Sequence, residues 1–252
     1  MPQLKWKIFE LFGIPVMIDL TFGIILLMFL NSGASFSIGL AYAMILALSI
    51  VAHEFGHALT GRLFGCETKT ITLSLIGGCA SMISMPRKGW QEFLVAAAGP
   101  LVSFALALLG LLLLVFLPIE SDFVAVSLAY LMWMNLILGC FNLLPGFPMD
   151  GGRIFRSVMM IFLSRPKATY VAMAVGRVFA VLLALSGLYS LVNGGGWAWI
   201  RIFIAWMIWQ DGYREYQLAR MEANWEFRDF RAKVSPPPYG GDGDDCDVTK
   251  DR

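Results

Sequence analysis

Charge is scarce in this chain of 252 residues: Asp, Glu, Lys and Arg together make up 15%, where a soluble domain carries about 25%. That shortage, with a hydrophobic share of 58% and long apolar runs, excludes an ordinary water-soluble globule. Neither sign of charge dominates. The formal net charge is +1, so the basic footprint of a nucleic-acid partner is missing and none is expected. Cysteine is sparse and scattered, at Cys66, Cys79, Cys140 and Cys246. The lack of any CxxC pair argues against a disulfide framework and against a zinc ribbon. Histidine is rarer still, with only His53 and His57, and no internal repeat is visible.

What is abundant is apolar length. A membrane span needs about 20 mostly apolar residues to cross roughly 30 Å of hydrocarbon. Six stretches qualify: residues 14–30, 36–64, 93–117, 123–144, 171–192 and 197–209, the last extendable to Tyr213. The first resembles a signal peptide, with Lys5 and Lys7 ahead of it, but no A-x-A site follows and it is read as a retained span. Lys and Arg fall in the N-terminal segment, in the connections after the second and fourth stretches, and after residue 210. The other three connections have none, which puts both termini on the cytoplasmic side of a multi-pass cell-membrane protein. Arg62, Arg177 and Arg201, near span ends, read as snorkelling side chains.

Two segments alternate with period two. Ile71, Leu73 and Leu75 interleave with Thr70, Thr72 and Ser74, and Gly77-Gly78 permits a turn into a return strand over residues 79–85. Ile14, Val16, Ile18 and Leu20 alternate in the same way. Strand edges cannot face lipid, so both strands must be buried in protein or line a wet cavity near the cytoplasmic face. The fold expected is an all-α polytopic membrane protein with six transmembrane helices and short β-strands near the cytoplasmic face. Its core covers residues 1–210, followed by a cytoplasmic amphipathic or solvated helix over 211–234. A disordered tail is expected over 235–252, which is rich in proline, glycine and aspartate.

Chemistry concentrates in His53-Glu54-Phe55-Gly56-His57. On a helix, positions i and i+4 share a face, so both imidazoles can reach one ion while Glu54 stands beside it, placed to act on a metal-bound water. Ionisable residues inside an apolar span are costly and usually functional. A catalytic zinc site has three protein ligands and an open fourth position. The third cannot be histidine, which leaves cysteine or carboxylate. Cys140 and Glu92 are candidates, and Asp150 is the best placed of the three. It sits in Asn142-Leu143-Leu144-Pro145-Gly146-Phe147-Pro148-Met149-Asp150-Gly151-Gly152, where the prolines prevent regular helix and the glycines allow close backbone approach. His57 and His53 lie about 10–17 Å inside the cytoplasmic end of their span at about 1.5 Å per residue. Asp150 emerges at that same face.

Together these motifs, with the segment 71–78 and Ala98-Gly99-Pro100, resemble the site-2 protease family of intramembrane zinc metalloproteases, in its compact six-span prokaryotic branch. The likeness covers roughly residues 8–210. It implies one Zn2+ per chain held by His53, His57 and Asp150, with Glu54 as general base and Asn142 contacting the substrate backbone. It also implies a transmembrane protein substrate within the lipid bilayer and a role in regulated intramembrane proteolysis. Relatives in this branch often carry a CBS domain after the last span; the residues here are too few for one. An extended substrate is expected to add to the edge of the strand 70–75. The readings from other classes are a divalent-metal transporter and a catalytically inactive membrane binder. Exchangeable zinc with transport would favour the first, and the presence of Glu54 argues against the second.

Overall fold

The computed structural model describes residues 5–30, 35–74, 77–82, 86, 88–196 and 198–234. Along the chain run β1 (Lys5–Leu11), β2 (Ile14–Asp19), α1 (Phe22–Leu30), α2 (Phe36–Leu63), β3 (Thr68–Ser74) and β4 (Gly77–Met82). Then come α3 (Gly89–Phe116), α4 (Asp122–Asn142), α5 (Asp150–Met159), α6 (Arg165–Val192) and α7 (Ala198–Val234). The expected tail 235–252 and residues 83–85 of the expected return strand lie outside the described residues.

Among the described residues, four helices are long and apolar enough to cross a membrane: α2, α3, α4 and α6. Their 21 to 28 residues reach about 32–42 Å at 1.5 Å per residue, enough for the hydrocarbon core. Their outward faces are apolar, as lipid requires. On α2 the stripe Leu40, Met44 and Leu48, spaced four apart, is exposed. Among the described residues the structure therefore has four such helices, where six were expected from the apolar runs.

The two differences have separate physical causes. The stretch 14–30 divides into strand β2 and the nine-residue helix α1, and nine residues span only about 14 Å. The period-two pattern prevails over apolar length there because β2 has neighbours to pair with. A turn at Phe12 and Gly13, both with positive φ, sends β1 back along it. The Asp19 carboxylate then accepts the Thr21 N–H at 3.1 Å where the chain enters α1. At the other end, α7 runs unbroken for 37 residues, so the change of composition at 210 falls inside one helix. Its charged second half keeps it out of the apolar class.

The four strands form one sheet in the order β1-β2-β3-β4. β1 and β2 pair antiparallel, β2 and β3 parallel, β3 and β4 antiparallel. The strand expected to offer a free edge, β3, is thus interior, with Ile71 opposite Val16 on one side and Ala80 on the other. The outer strands are β1 and β4. The sheet packs on α2: Ile14, Val16, Ile71 and Leu73 meet Ile50, Val51, Phe55 and Ala58 of that helix, with Phe22 of α1, in one buried cluster. Phe55 belongs to the His-Glu-Phe-Gly-His segment, so the sheet braces the helical turn that carries it.

Behind α2 lies α3. A methyl placed on Gly56 would stand 2.8 Å from the Ala98 carbonyl oxygen, so glycine is what lets the two backbones approach. α4 is tied to α2 by Asn135, whose amide donates to the Ser49 hydroxyl at 2.8 Å in the interior. Truncating the fully buried Ile71 to alanine is expected to cost about 2–5 kcal/mol. Leu48→Ala, on the lipid-facing stripe, should stay within about 0.5 kcal/mol. Denaturant unfolding in detergent micelles checks both.

Candidate metal centre

His53 and His57, one turn apart on α2, direct their Nε2 atoms at one point, 3.2 Å from each other. The Oδ2 atom of Asp150 lies 3.1 Å from each nitrogen. All three side chains are buried, with 3%, 3% and 7% of their residues exposed, and they form the one His/Cys/Asp/Glu group among the described residues able to hold a metal ion.

Asp150 arrives through the broken segment between α4 and α5. It is the first residue of α5, where a carboxylate is favoured by the helix N-terminus. A Cβ on Gly151 would overlap the Leu143 and Leu144 carbonyl oxygens, and one on Gly152 would stand 2.6 Å from the carbonyl carbon of Gly146. The Asp-Gly-Gly run is therefore a packing requirement: the loop folds back on the first turn of α5 and leaves no room for side chains.

The far side of each imidazole is held by α3. His57 Nδ1 lies 2.7 Å from the Val95 carbonyl oxygen, and His53 Nδ1 lies 2.9 Å from the Ser103 hydroxyl. A carbonyl can only accept, so His57 donates from Nδ1, and in the neutral ring its Nε2 is then the atom able to ligate an ion. Burial pushes the Asp150 carboxyl up, but the two imidazoles outweigh it and hold it below the usual carboxylate range. Two imidazole nitrogens and a carboxylate oxygen this close share a proton or a cation. Donors bound tetrahedrally at about 2.0–2.1 Å from one ion would stand about 3.3 Å apart, close to the spacing here, and two imidazoles with a carboxylate suit zinc.

Three α3 residues, Val95, Gly99 and Ser103, recur every fourth position and face the two histidines. A Cβ on Gly99 would overlap His57 Nε2 and stand 2.6 Å from His53 Nε2. Ser103 and the Val95 carbonyl were not singled out from sequence. The signal that could have found them is this i, i+4, i+8 recurrence through Ala98-Gly99-Pro100.

Of the alternative third ligands, Cys140 is exposed on α4, and Glu92 is buried in an ion pair with Arg156. Neither joins the cluster. Burial alone would lower the Arg156 pKa, but the Glu92 and Glu215 carboxylates outweigh it and raise it, so the guanidinium stays charged. Asn142, the last residue of α4, donates its amide to the Leu138 carbonyl at 3.0 Å and is not part of the cluster. Glu54 follows His53 on α2 and lies under β4: a Cβ on Gly78 would stand 2.6 Å from Glu54 Cγ. Arg153 Nη1 lies 3.9 Å from Asp150 Oδ1.

Comparison with known proteins bears on this site. The profile of peptidase family M50 matches residues 41–122 and 118–185, a region that includes both histidines, Glu54 and Asp150. A zinc metalloprotease of Methanocaldococcus jannaschii is 33% identical over 237 residues, covering 92% of this chain and 66% of that protein. A Synechocystis sp. protein is 33% identical over 241 residues, covering 87% of this chain and 62% of the other. The chain thus spans just under two thirds of the length of these relatives. The solved structure of a site-2 protease from Methanocaldococcus jannaschii aligns with a TM-score of 0.61 at 30% identity, over 84% of this chain and 95% of that one.

Removing the hydroxyl that orients His53, in Ser103→Ala, is expected to weaken divalent-ion binding about 10–100-fold, read by chelator competition. Gly99→Ala, whose methyl enters the space of both Nε2 atoms, should abolish stoichiometric ion retention. Circular dichroism should still report intact helices.

Proposed function

The chain belongs to peptidase family M50, and from that premise we propose that it is an intramembrane zinc metalloprotease. It hydrolyses a peptide bond within or beside a transmembrane segment of a membrane-protein substrate. The observation that carries this reading is the convergence of His53, His57 and Asp150 on one buried point, with Glu54 next to it on the same helix.

Zinc, when bound by these three side chains, supplies a Lewis acid that acidifies water and polarises a carbonyl. The chain's own residues do the rest. Glu54 takes a proton from the attacking water as its oxygen adds to the scissile carbonyl carbon, and passes that proton to the departing amine nitrogen as the C–N bond breaks. Val95 and Ser103 hold the imidazoles in orientation, which keeps the ligand geometry fixed between turnovers. Asn142, with its amide engaged by Leu138, has its side-chain oxygen to accept an N–H from the substrate backbone.

A helical substrate hides its peptide bonds in its own hydrogen bonds and must unwind before cleavage. The outer edge of β4 is the receiving edge for the unwound segment, because β3 is paired on both sides and β4 lies against Glu54. The N-terminal strand–helix unit and the apolar start of α7 accompany the four long helices in the bilayer. The distribution of Lys and Arg puts both ends of the chain on the cytoplasmic side. An alternating-access metal carrier would draw its ion ligands from two related repeats, whereas here two of the three come from one helix.

Purified in detergent, the wild type is expected to hold about one zinc per chain, the number of protein ligands matching a single catalytic site, and Asp150→Ala to lose most of it. Glu54→Gln should keep its zinc while cleavage of a transmembrane reporter falls by about 10²–10⁴-fold. Wild-type cleavage by Glu54→Gln would overturn the reading. Proline at Cys79 and, separately, at Ala80 tests the β4 edge. One of these neighbours turns its N–H outward, and that variant should lose turnover with zinc retained.

A further inference from the structure

A second buried polar group, unused by the proposed chemistry, centres on α5, which carries Asp150, and on α3, which supports the two histidines. Glu92, in the first turn of α3, is 1% exposed, and Arg156 on α5 is 2% exposed. Arg156 Nε donates to Glu92 Oε1 at 2.8 Å, and Nη2 donates to the same oxygen. Nη1 donates to Glu215 Oε2 of α7 at 2.9 Å. The guanidinium carbon also stands 5.0 Å from the centroid of Phe147, in the broken segment that delivers Asp150. One side chain thereby joins α3, α7 and the Asp150 loop. Arg165 stands farther off, 3.9 Å from Glu92 Oε2 and 3.7 Å from Glu222 Oε2.

Stability alone is a poor account of this cluster, because a buried ion pair seldom outperforms apolar packing of the same volume. Placement gives a better one. Glu92 sits one turn before Val95, whose carbonyl orients His57. Arg156 sits less than two turns after Asp150 on α5. A slide of α5 along α3 would move the Asp150 carboxylate away from the imidazole pair, and it would have to break the Arg156–Glu92 fork to do so. A guanidinium opposes such a slide better than an ammonium, because its donors point in fixed directions. Glu215 is the partner that reaches solvent, with 40% of its side chain exposed.

We propose that Arg156, held by Glu92 and Glu215, is a positioning residue for the metal centre, and that through Glu215 the helix α7 controls how firmly Asp150 is kept on the ion. The proposal rests on the metalloprotease reading. It makes the far end of the chain a control element for the site: a partner or a charge change that draws Glu215 away loosens the third ligand without touching the other two.

The test uses full-length protein in detergent, as wild type, Glu215→Gln, Arg156→Lys and Arg156→Met, with Glu10→Gln as a control at a remote surface ion pair. Four readouts are taken: the visible spectrum after cobalt substitution, zinc release to a chelator, the melting temperature, and kcat and KM on a transmembrane reporter. Glu215→Gln is expected to melt as wild type does, release zinc about tenfold faster or more, shift the cobalt spectrum, and lower kcat at unchanged KM. Arg156→Lys should recover part of what Arg156→Met loses, and Glu10→Gln should match wild type throughout. Wild-type zinc release and cobalt spectra in both Glu215→Gln and Arg156→Lys would overturn the proposal and leave the metalloprotease reading standing. A wild type that binds neither zinc nor cobalt would overturn both.

Discussion

Two imidazole nitrogens and a carboxylate oxygen, all within 3.2 Å of one another in a buried site, hold together only by sharing a proton or a cation. The rest of the structure follows from keeping that arrangement in place. α3 fixes the outer nitrogen of each imidazole, so the rings cannot rotate away from one another. The glycines at 56, 151 and 152 bring backbone segments closer than side chains would permit, and Gly99 leaves room for the two imidazoles.

The sheet answers a different constraint. Irregular or open backbone is not tolerated against lipid, yet the proposed function requires that an extended peptide reach the helix carrying the two histidines. A small mixed sheet braced on α2 meets both demands. Its interior strands satisfy their backbone groups by pairing, and its apolar face packs against Phe55 and the neighbouring turns of α2. The unpaired backbone is confined to β1 and to β4, the strand that reaches Glu54.

The parts legible in the sequence were those with local causes. The i, i+4 histidines carry their geometry in their spacing, and the Pro-Gly-rich run around Asp150 announces a broken helix wherever it is found. Both alternating segments became strands, β2 and β3. What the sequence did not disclose depends on contacts far apart along the chain. Strand order is one case: β2 and β3 pair in parallel across more than fifty residues, which turned an expected edge into an interior strand. The first apolar stretch is another. Its length argued for a span, but pairing with β1 and β3 claimed its first six residues for the sheet. Glu92 illustrates the limit for the site, since a carboxylate at the start of α3 reads equally as a ligand or as a cap. Only the approach of Arg156 from α5 shows it to be neither.

The position of β4 has a mechanical consequence. β3 is held from both sides, so the sheet can yield at β4 without losing the β2–β3 ladder or the apolar cluster beneath it. A strand paired along one edge opens at a small fraction of the cost of global unfolding. Because Gly78 of that strand rests on Glu54, such a local opening would bare the proposed general base while His53, His57 and Asp150 stay clamped. On the proposed reading, the arrival of an extended chain at the sheet would be coupled to the moment Glu54 is uncovered.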